Sequence, residues 1–373
     1  MIIKEISRIA PNIGKIAFGI NTGVLKGIVP NQSGNQIKVN VLKQPSKSWA
    51  EKVDNIEAPF VEIYDEDEYG KNNALTLMGL FELKLMLNAF GVRSAKQTEY
   101  QFKPLENREY FVAGTGTGRE VINLAALGGN VIGIDATKGY VDLTALKLEK
   151  VASALGPTPD IKLFQCPAED YPYISNSFDG ISSLFGVVNH IQDWKGQLKK
   201  FGQALKSDGK LVIEKYGSND ALVFKLRKNG QLKYSPSILQ RRDPKGQGIL
   251  LGDSEEILPA NFPSDRQFKN QLTDSGFEIQ KKVGFLRIAA LFPKVPTAEN
   301  LIIFLELVSQ TDTQAYDFLY QFKTPEELLF AAFMYDLQSQ QRKNNPVNIE
   351  DFAYVLYVGR KKRQEEFLTG FSR

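Results

Sequence analysis

The sequence predicts an α/β fold around a parallel sheet, and three observations carry that prediction. Short apolar runs alternate with helical stretches between positions 110 and 214, the rhythm of βαβ units. Most of the runs are continuously apolar rather than alternating, as strands covered on both faces are. The first run breaks into Gly114-Thr-Gly-Thr-Gly118 and opens straight into helical spacing, a strand–turn–helix junction that presents free backbone N–H groups to a ligand.

The elements follow in order. Tyr110–Ala113 reads as a buried strand, and Arg119–Leu127 as a helix stopped by Gly128-Gly129. Asn130–Asp135 is the next strand, and Tyr140–Leu155 a helix halted by Gly156-Pro157. Ile161–Phe164 and Phe178–Leu184 read as strands, Trp194–Leu205 as a helix, and Lys210–Glu214 as a strand after the turn Ser207-Asp-Gly209. Beyond the block, Phe262–Leu272 predicts a helix, Phe277–Phe285 a strand, Glu299–Ser309 and Thr324–Gln340 helices, and Phe352–Gly359 a strand. Before it, Ala74–Phe90 predicts an amphipathic helix closed by Gly91.

These elements divide the chain into 1–105, an accessory cap; 106–216, the ligand-binding core; 217–261, an insertion; 262–285, a return to the core; 286–351, a helical insertion; and 352–373, the last core strand and tail. Long insertions beside a ligand site commonly carry function. Their apolar stretches, such as LFELKLMLNAF and LIIFLELV, suit an enclosing lid or a homodimer contact. Tyr64, Tyr69 and Phe81 are read as core packing rather than pocket lining.

Composition narrows the function. A net charge of +3 gives no large field to attract nucleic acid or anionic lipid, and Arg241-Arg242 and Arg360–Arg363 read as solvated surface. The single cysteine, Cys166, excludes an internal disulfide framework and cysteine zinc sites, and reads as a small apolar filler. The single histidine, His190, excludes HExxH chemistry. No apolar run has the roughly 18 residues of a membrane span, and the N-terminal stretch carries Lys4, Glu5 and Arg8, unlike a signal peptide. A cytoplasmic, metal-free protein is expected.

Glycine spacing separates two ligand classes poorly by itself. The dinucleotide pattern G-x-G-x-x-G fails here, because its third position falls on Arg119 or Val121. Asp135, at the end of the second strand, stands where a carboxylate accepts ribose hydroxyls, and it could equally cap the next helix. Turn and acid together point to a ribosyl cofactor without choosing among them.

Larger blocks make the choice. YFVAGTGTG (Tyr110–Gly118), IDAT (Ile134–Thr137), PAEDYPYISNSFDGI (Pro167–Ile181), GVVNHIQDW (Gly186–Trp194) and ALKSDGKLVI (Ala204–Ile213) together resemble the class I S-adenosylmethionine (SAM)-dependent methyltransferases. The resemblance runs over 110–215 and resumes at DSGFEI (Asp274–Ile279) and the terminal strand near 352–361. It implies a seven-stranded Rossmann-like sheet with the last strand antiparallel, helices on both faces, and a lid built from the segments outside the core. It implies SAM as cofactor, leaving S-adenosylhomocysteine. Gly114, Thr115, Gly116 and Gly118 match the residues wrapping its methionine part, and Asp135-Ala136 match those at its ribose. Ala168-Glu169 match the adenine loop, and Leu184-Phe185 the end of the fourth strand. Two positions depart from the family. Val112 replaces the usual acid two residues before the first glycine, and Pro167 replaces the usual Asp before Ala168, so the cofactor's ammonium is expected to be held differently, with the N-terminal segment as one source.

Methyl transfer from a sulfonium is an in-line displacement governed by alignment, and a hydroxyl acceptor gains from a general base while an amine does not need one. His190 is the candidate base. Glu214, Lys215 and Tyr216 leave the fifth strand at the same edge. The expected function is methyl transfer to oxygen or nitrogen of a small molecule; a protein or RNA methyltransferase and a catalytically silent SAM-binding protein are the rivals. After the fourth strand stands LFGV, not the Asn/Asp-Pro-Pro-Tyr of base-amino methylation.

Overall fold

A computed structural model describes residues 40–43, 74–92, 104–152, 159–217, 226, 229–234, 240–242, 248–251, 257–342 and 346–363. The expectations for Tyr64 and Tyr69, and for most of 1–105 and 217–261, lie outside these residues.

One large sheet organises the molecule. Its strands are β1 (Asn40–Lys43), β2 (Glu109–Ala113), β3 (Asn130–Asp135), β4 (Ile161–Gln165), β5 (Phe178–Ser183), β6 (Leu205–Tyr216), β10 (Phe277–Phe285) and β11 (Tyr354–Lys361). A small antiparallel sheet takes β7 (Gln240–Arg242), β8 (Gly248–Leu251) and β9 (Ile257–Pro259). Seven strands of the large sheet lie in the order β4–β3–β2–β5–β6–β11–β10. All pairs from β4 to β6 are parallel, and β11 runs antiparallel between β6 and β10. This is the Rossmann-like methyltransferase sheet that the sequence predicts. An addition sits at its edge: β1, from the segment expected to be only a cap, pairs parallel with β4 from Asn40↔Lys162 to Lys43↔Gln165.

Alternation along the strands splits the core between two faces. Tyr110 and Val112 of β2, Val212 and Tyr216 of β6, and Leu356 and Val358 of β11 enter one cluster. Phe111 and Ala113, Leu211 and Ile213, and Val355 and Tyr357 enter the other. The first face is covered by α1 (Ala74–Ala89), α2 (Arg119–Ala126), α3 (Lys138–Ala152) and the helical insertion, α6 (Ala298–Thr311), α7 (Thr313–Leu319) and α8 (Pro325–Ser339). The second is covered by α4 (Trp194–Ala204) and α5 (Asp265–Asp274).

Two elements differ from expectation for physical reasons. Helix α1 is not amphipathic: among its residues only Lys84 and Asn88 are exposed. It lies between the sheet and α8, with Phe81 4.9 Å from Phe333, so an apolar surface nearly all round is what burial demands. Strand β6 begins five residues early, at Leu205. The turn residues remain within it, with Asp208 at φ 65° and an irregularity opposite Phe178–Gly180 of β5.

The basic cluster near the C-terminus is paired. Arg360 binds Asp208 at 2.7 Å and Glu278 at 2.7 Å, and Arg363 binds Asp208 at 2.7 Å. Among the described residues no helix is long and apolar enough to cross a membrane, and no cluster of His, Cys, Asp and Glu could hold a metal ion.

Candidate functional site

A cleft opens at the carboxyl ends of β2, β3, β4 and β5, where ligands of open α/β sheets bind. It encloses about 1040 Å³, its open mouth included. The floor is the glycine turn. Gly114 and Thr115 donate to the Ile134 carbonyl at 2.8 and 3.0 Å, which folds the turn back over β3. Gly114, Gly116 and Gly118 have φ of 77°, 49° and 94°. Their roles differ. A Cβ on Gly114 would collide with Val187, whereas one on Gly116 would meet nothing within 4 Å. The bare backbone at Gly116 therefore leaves a space that a ligand can fill. Gly118 is outside the cleft lining; it caps α2, and a Cβ there would press on Thr144 of α3.

Asp135 is half-buried on the cleft wall. Its carboxylate accepts Gly116 N–H and Thr137 N–H, each at 2.9 Å. It therefore serves the turn and the start of α3 together. A carboxylate has about four acceptor sites, so these bonds leave capacity for further donors. Beside it run Ala136 and the loop Cys166–Glu169. Cys166 is buried, donates its thiol to Pro167 O at 3.2 Å, and packs in the second core cluster, as an apolar filler would. Ala168–Asp170 form a single 3-10 turn. Glu169 Oε1 takes Gln192 N–H at 2.7 Å, tying this loop to the one that follows β5.

That following loop forms the opposite wall with Leu184, Phe185, Val187, His190 and Ile191. Phe185 has φ 57°, a strained value for an aromatic residue. Glu214 of β6 holds it there, accepting Phe185 N–H at 2.9 Å.

A charged cluster that sequence reasoning did not assemble runs from the cleft lining, at Arg119 and Glu120, into the core. Arg119 pairs with Glu120 at 2.6 Å and with Glu82 of α1 at 3.0 Å, and its guanidinium lies 5.3 Å from the Phe185 ring centre. Glu82 and Glu214 are fully buried, and Oε1 of each has no hydrogen-bond partner among the described residues. Burial pushes both carboxyls up, and the charge of Glu82 raises Glu214 further. Val112, where the resemblance expects an acid, is buried and apolar. The acids of the cluster come from α1 (Glu82), α2 (Glu120) and β6 (Glu214). One signal was present: Gly79, one turn before Glu82, is where a Cβ would strike the Arg119 guanidinium.

His190 lies on the cleft with both ring nitrogens engaged. Nδ1 is 2.8 Å from Pro259 O, and Nε2 is 3.0 Å from Tyr216 Oη. A carbonyl only accepts, so Nδ1 carries the proton; in the neutral ring Nε2 then accepts the Tyr216 hydroxyl. Burial lowers the His190 pKa to about 4, with the Pro259 carbonyl acting the other way. The ring is neutral at pH 7. Pro259 ends β9, and Asn261 bonds back to Asn189 and Ile191, so these two residues fix the loop carrying His190. No described residue of 286–351 lines the cleft.

The predicted Gly114, Thr115, Gly116, Asp135, Ala136, Ala168, Glu169, Leu184, Phe185 and His190 thus meet around one cleft, and Gly118 stands behind it. The cleft also fits a nucleoside-linked amino acid on its own features. Gly116 leaves open space, and Thr115 Oγ1 is buried with no hydrogen-bond partner among the described residues.

Comparison with known proteins agrees. The family described as a methyltransferase domain matches residues 111–213. The ubiquinone/menaquinone biosynthesis C-methyltransferase UbiE of Citrifermentans bemidjiense is 31% identical over 171 residues, spanning 44% of this chain and 68% of that protein. UbiE of Rickettsia akari is 27% identical over 224 residues, spanning 56% and 83%. The demethylmenaquinone methyltransferase of Chlorobaculum tepidum is 28% identical over 198 residues, spanning 51% and 74%. Among solved structures, a Haemonchus contortus phosphoethanolamine N-methyltransferase 2 superposes with TM-score 0.48 at 18% identity, covering 86% of this chain and 61% of that one, a likeness too loose to bear on function.

Proposed function

Since the chain belongs to the class I SAM-dependent methyltransferases, we propose that it methylates a small molecule that must give up a hydroxyl proton as it reacts. The methyl goes to that oxygen or to a ring carbon that the hydroxyl activates. The observation that carries this reading is the neutral His190–Tyr216 pair on the cleft wall, a proton acceptor that an amine with a free lone pair does not need. The relatives named as C-methyltransferases of quinone biosynthesis favour the phenolic-carbon form over the nitrogen form.

SAM, when bound, supplies a methyl already activated on a sulfonium. The chain's own residues do the rest. The glycine turn would lay bare backbone along the methionine part, and Asp135 would accept from the ribose hydroxyls. Ala168 and Glu169 would border the adenine, and Leu184 and Phe185 the sulfur end. The buried group sets three carboxyls, Glu82, Glu120 and Glu214, around the single guanidinium of Arg119. It favours a donor bearing an ammonium and a sulfonium, and so stands in for the acid missing at Val112. Alignment in such a cleft contributes several kcal/mol of barrier lowering. Pro259, at the end of β9, holds the His190 side of the cleft.

The test is transfer of labelled methyl from SAM to probes of matched size: a naphthohydroquinone, a catechol and a primary arylamine. Transfer to the hydroxyl-bearing probes is expected. Transfer confined to the amine, or to a peptide or tRNA, contradicts the reading.

A further inference from the structure

We propose that Tyr216 is the residue that takes the acceptor's proton, and that His190 receives that proton only through it. The proposal rests on the hydroxyl-acceptor reading above. Its basis is the occupancy of the histidine's two nitrogens. Nδ1 is committed to Pro259 O at 2.8 Å, and Nε2 to Tyr216 Oη at 3.0 Å. Neither nitrogen is left to face an acceptor, whereas Tyr216 itself lines the cleft beside Phe185 and Val187.

Tyr216 is held as a proton-carrying residue should be. Its backbone N–H donates to Asn189 Oδ1 at 2.8 Å, tying the strand end to the His190 loop. Its ring stands edge-on to His190, with centres 5.6 Å apart, and edge-on to Tyr354 at 5.4 Å. The ring also rests on Gly186, where any Cβ would run into it. Gly186, at φ 69°, therefore has to be glycine both for its backbone and for this approach.

The step balances. The acceptor O–H bond breaks and its proton forms a bond to Tyr216 Oη. The Tyr216 O–H bond breaks, and that proton moves to His190 Nε2, giving an imidazolium still bonded to Pro259 O. The acceptor's electron pair forms the new bond to the methyl carbon, and the sulfur keeps the pair of the bond that breaks. After product leaves, the proton returns to water by the same two groups. Burial makes the imidazolium unfavourable, so the proton is held only briefly and the resting pair stays neutral.

The chain holds a single histidine, which makes the experiment direct. In the full-length protein labelled with ¹⁵N at histidine, NMR at pH 7 should show Nδ1 protonated and Nε2 bare but hydrogen-bonded. Tyr216→Phe should shift Nε2 towards a free imidazole value while leaving Nδ1 unchanged. With the naphthohydroquinone probe, Tyr216→Phe and His190→Gln should each lower turnover about 10²-fold or more. SAM affinity by calorimetry should stay as in wild type, and the double variant should be no slower than the worse single one. A protonated Nε2, an Nε2 signal indifferent to Tyr216→Phe, multiplying losses, or undiminished turnover in Tyr216→Phe each overturns the proposal. Wild-type protein that binds SAM but methylates only the arylamine overturns the hydroxyl-acceptor reading along with it.

Discussion

Two aspartates, one in the cleft and one in the helical insertion, use the same device to opposite ends. Asp135 takes Gly116 N–H and Thr137 N–H and remains half-exposed on the cleft wall. Asp336 of α8 takes the N–H groups of Arg287, Ile288 and Ala289 at 2.8–3.0 Å and is 1% exposed. The second ties α8 to the chain leaving β10, and water does not reach it. The cleft's polar groups are shaped to be completed by something else; the insertion's are completed already. Around Asp336 the helices are capped by Thr297, Asp312 and Thr324, and Arg287 pairs with Asp312 at 2.9 Å. Around Asp135 stand three glycines at positive φ and a threonine hydroxyl without a partner among the described residues.

The contrast breaks first at Asp336. Asp336→Ala leaves three N–H groups without their acceptor, two of them in buried bonds, and should lower unfolding free energy by about 2–4 kcal/mol. Folded Asp336→Ala should bind SAM as wild type does. Chemical denaturation and calorimetry on one sample check both halves. A loss of cofactor affinity without loss of stability would erase the distinction. Asp135→Ala should do the reverse, weakening SAM by about 1–3 kcal/mol through lost charge-assisted bonds at a smaller stability cost than Asp336→Ala, since the two N–H groups it frees are only part-buried. Unchanged affinity in the folded variant removes the ribose assignment.

Glu214 sharpens the comparison from within the cleft wall. Glu214→Gln keeps an oxygen for Phe185 N–H, whereas Glu214→Leu does not. The leucine variant should bind SAM about 1 kcal/mol more weakly than the glutamine variant. Equal affinities would show that Phe185 needs no such support.

The smallest effect is the dependence of stability on pH, because the two regions oppose each other. His190 titrates near 4 when folded, below its ordinary 6.5. Its contribution is present above about pH 6.5 and is lost as pH falls towards 4. Asp336, raised by burial to about 6 from 3.8, contributes below about pH 3.8 and loses that contribution as pH rises through 6. Thermal melts from pH 4 to 6.5 should therefore rise more steeply with pH in Asp336→Asn, and less steeply in His190→Gln, than in wild type. Parallel curves for all three proteins would contradict both assignments.

How legible these regions were follows the same division. The glycine turn, Asp135 and the order of the core strands are local patterns: a strand, a turn and a helix in one short stretch announce themselves. Even there Gly118 could not be told from its neighbours, because its work is against Thr144 on another helix. The pairing of β1 with β4, the Glu82–Arg119–Glu214 cluster, and the Pro259–His190–Tyr216 chain each join residues far apart in sequence. Apart from Gly79 beside Arg119, spacing carries no trace of them. Helix α1 misled for a related reason, since its polar face was expected from solvent that α8 displaces.

The most direct measurement is a calorimetric titration of the purified chain with SAM, S-adenosylhomocysteine and NADH, repeated on Gly116→Ala. A Cβ at Gly116 meets no protein atom within 4 Å but would enter the ligand's space. The wild-type protein should bind both sulfur nucleosides at one site and ignore NADH, and Gly116→Ala should stay folded while binding them more weakly. Heat from NADH alone, or a Gly116→Ala protein that binds SAM undiminished, would contradict the placement of the donor on the glycine turn.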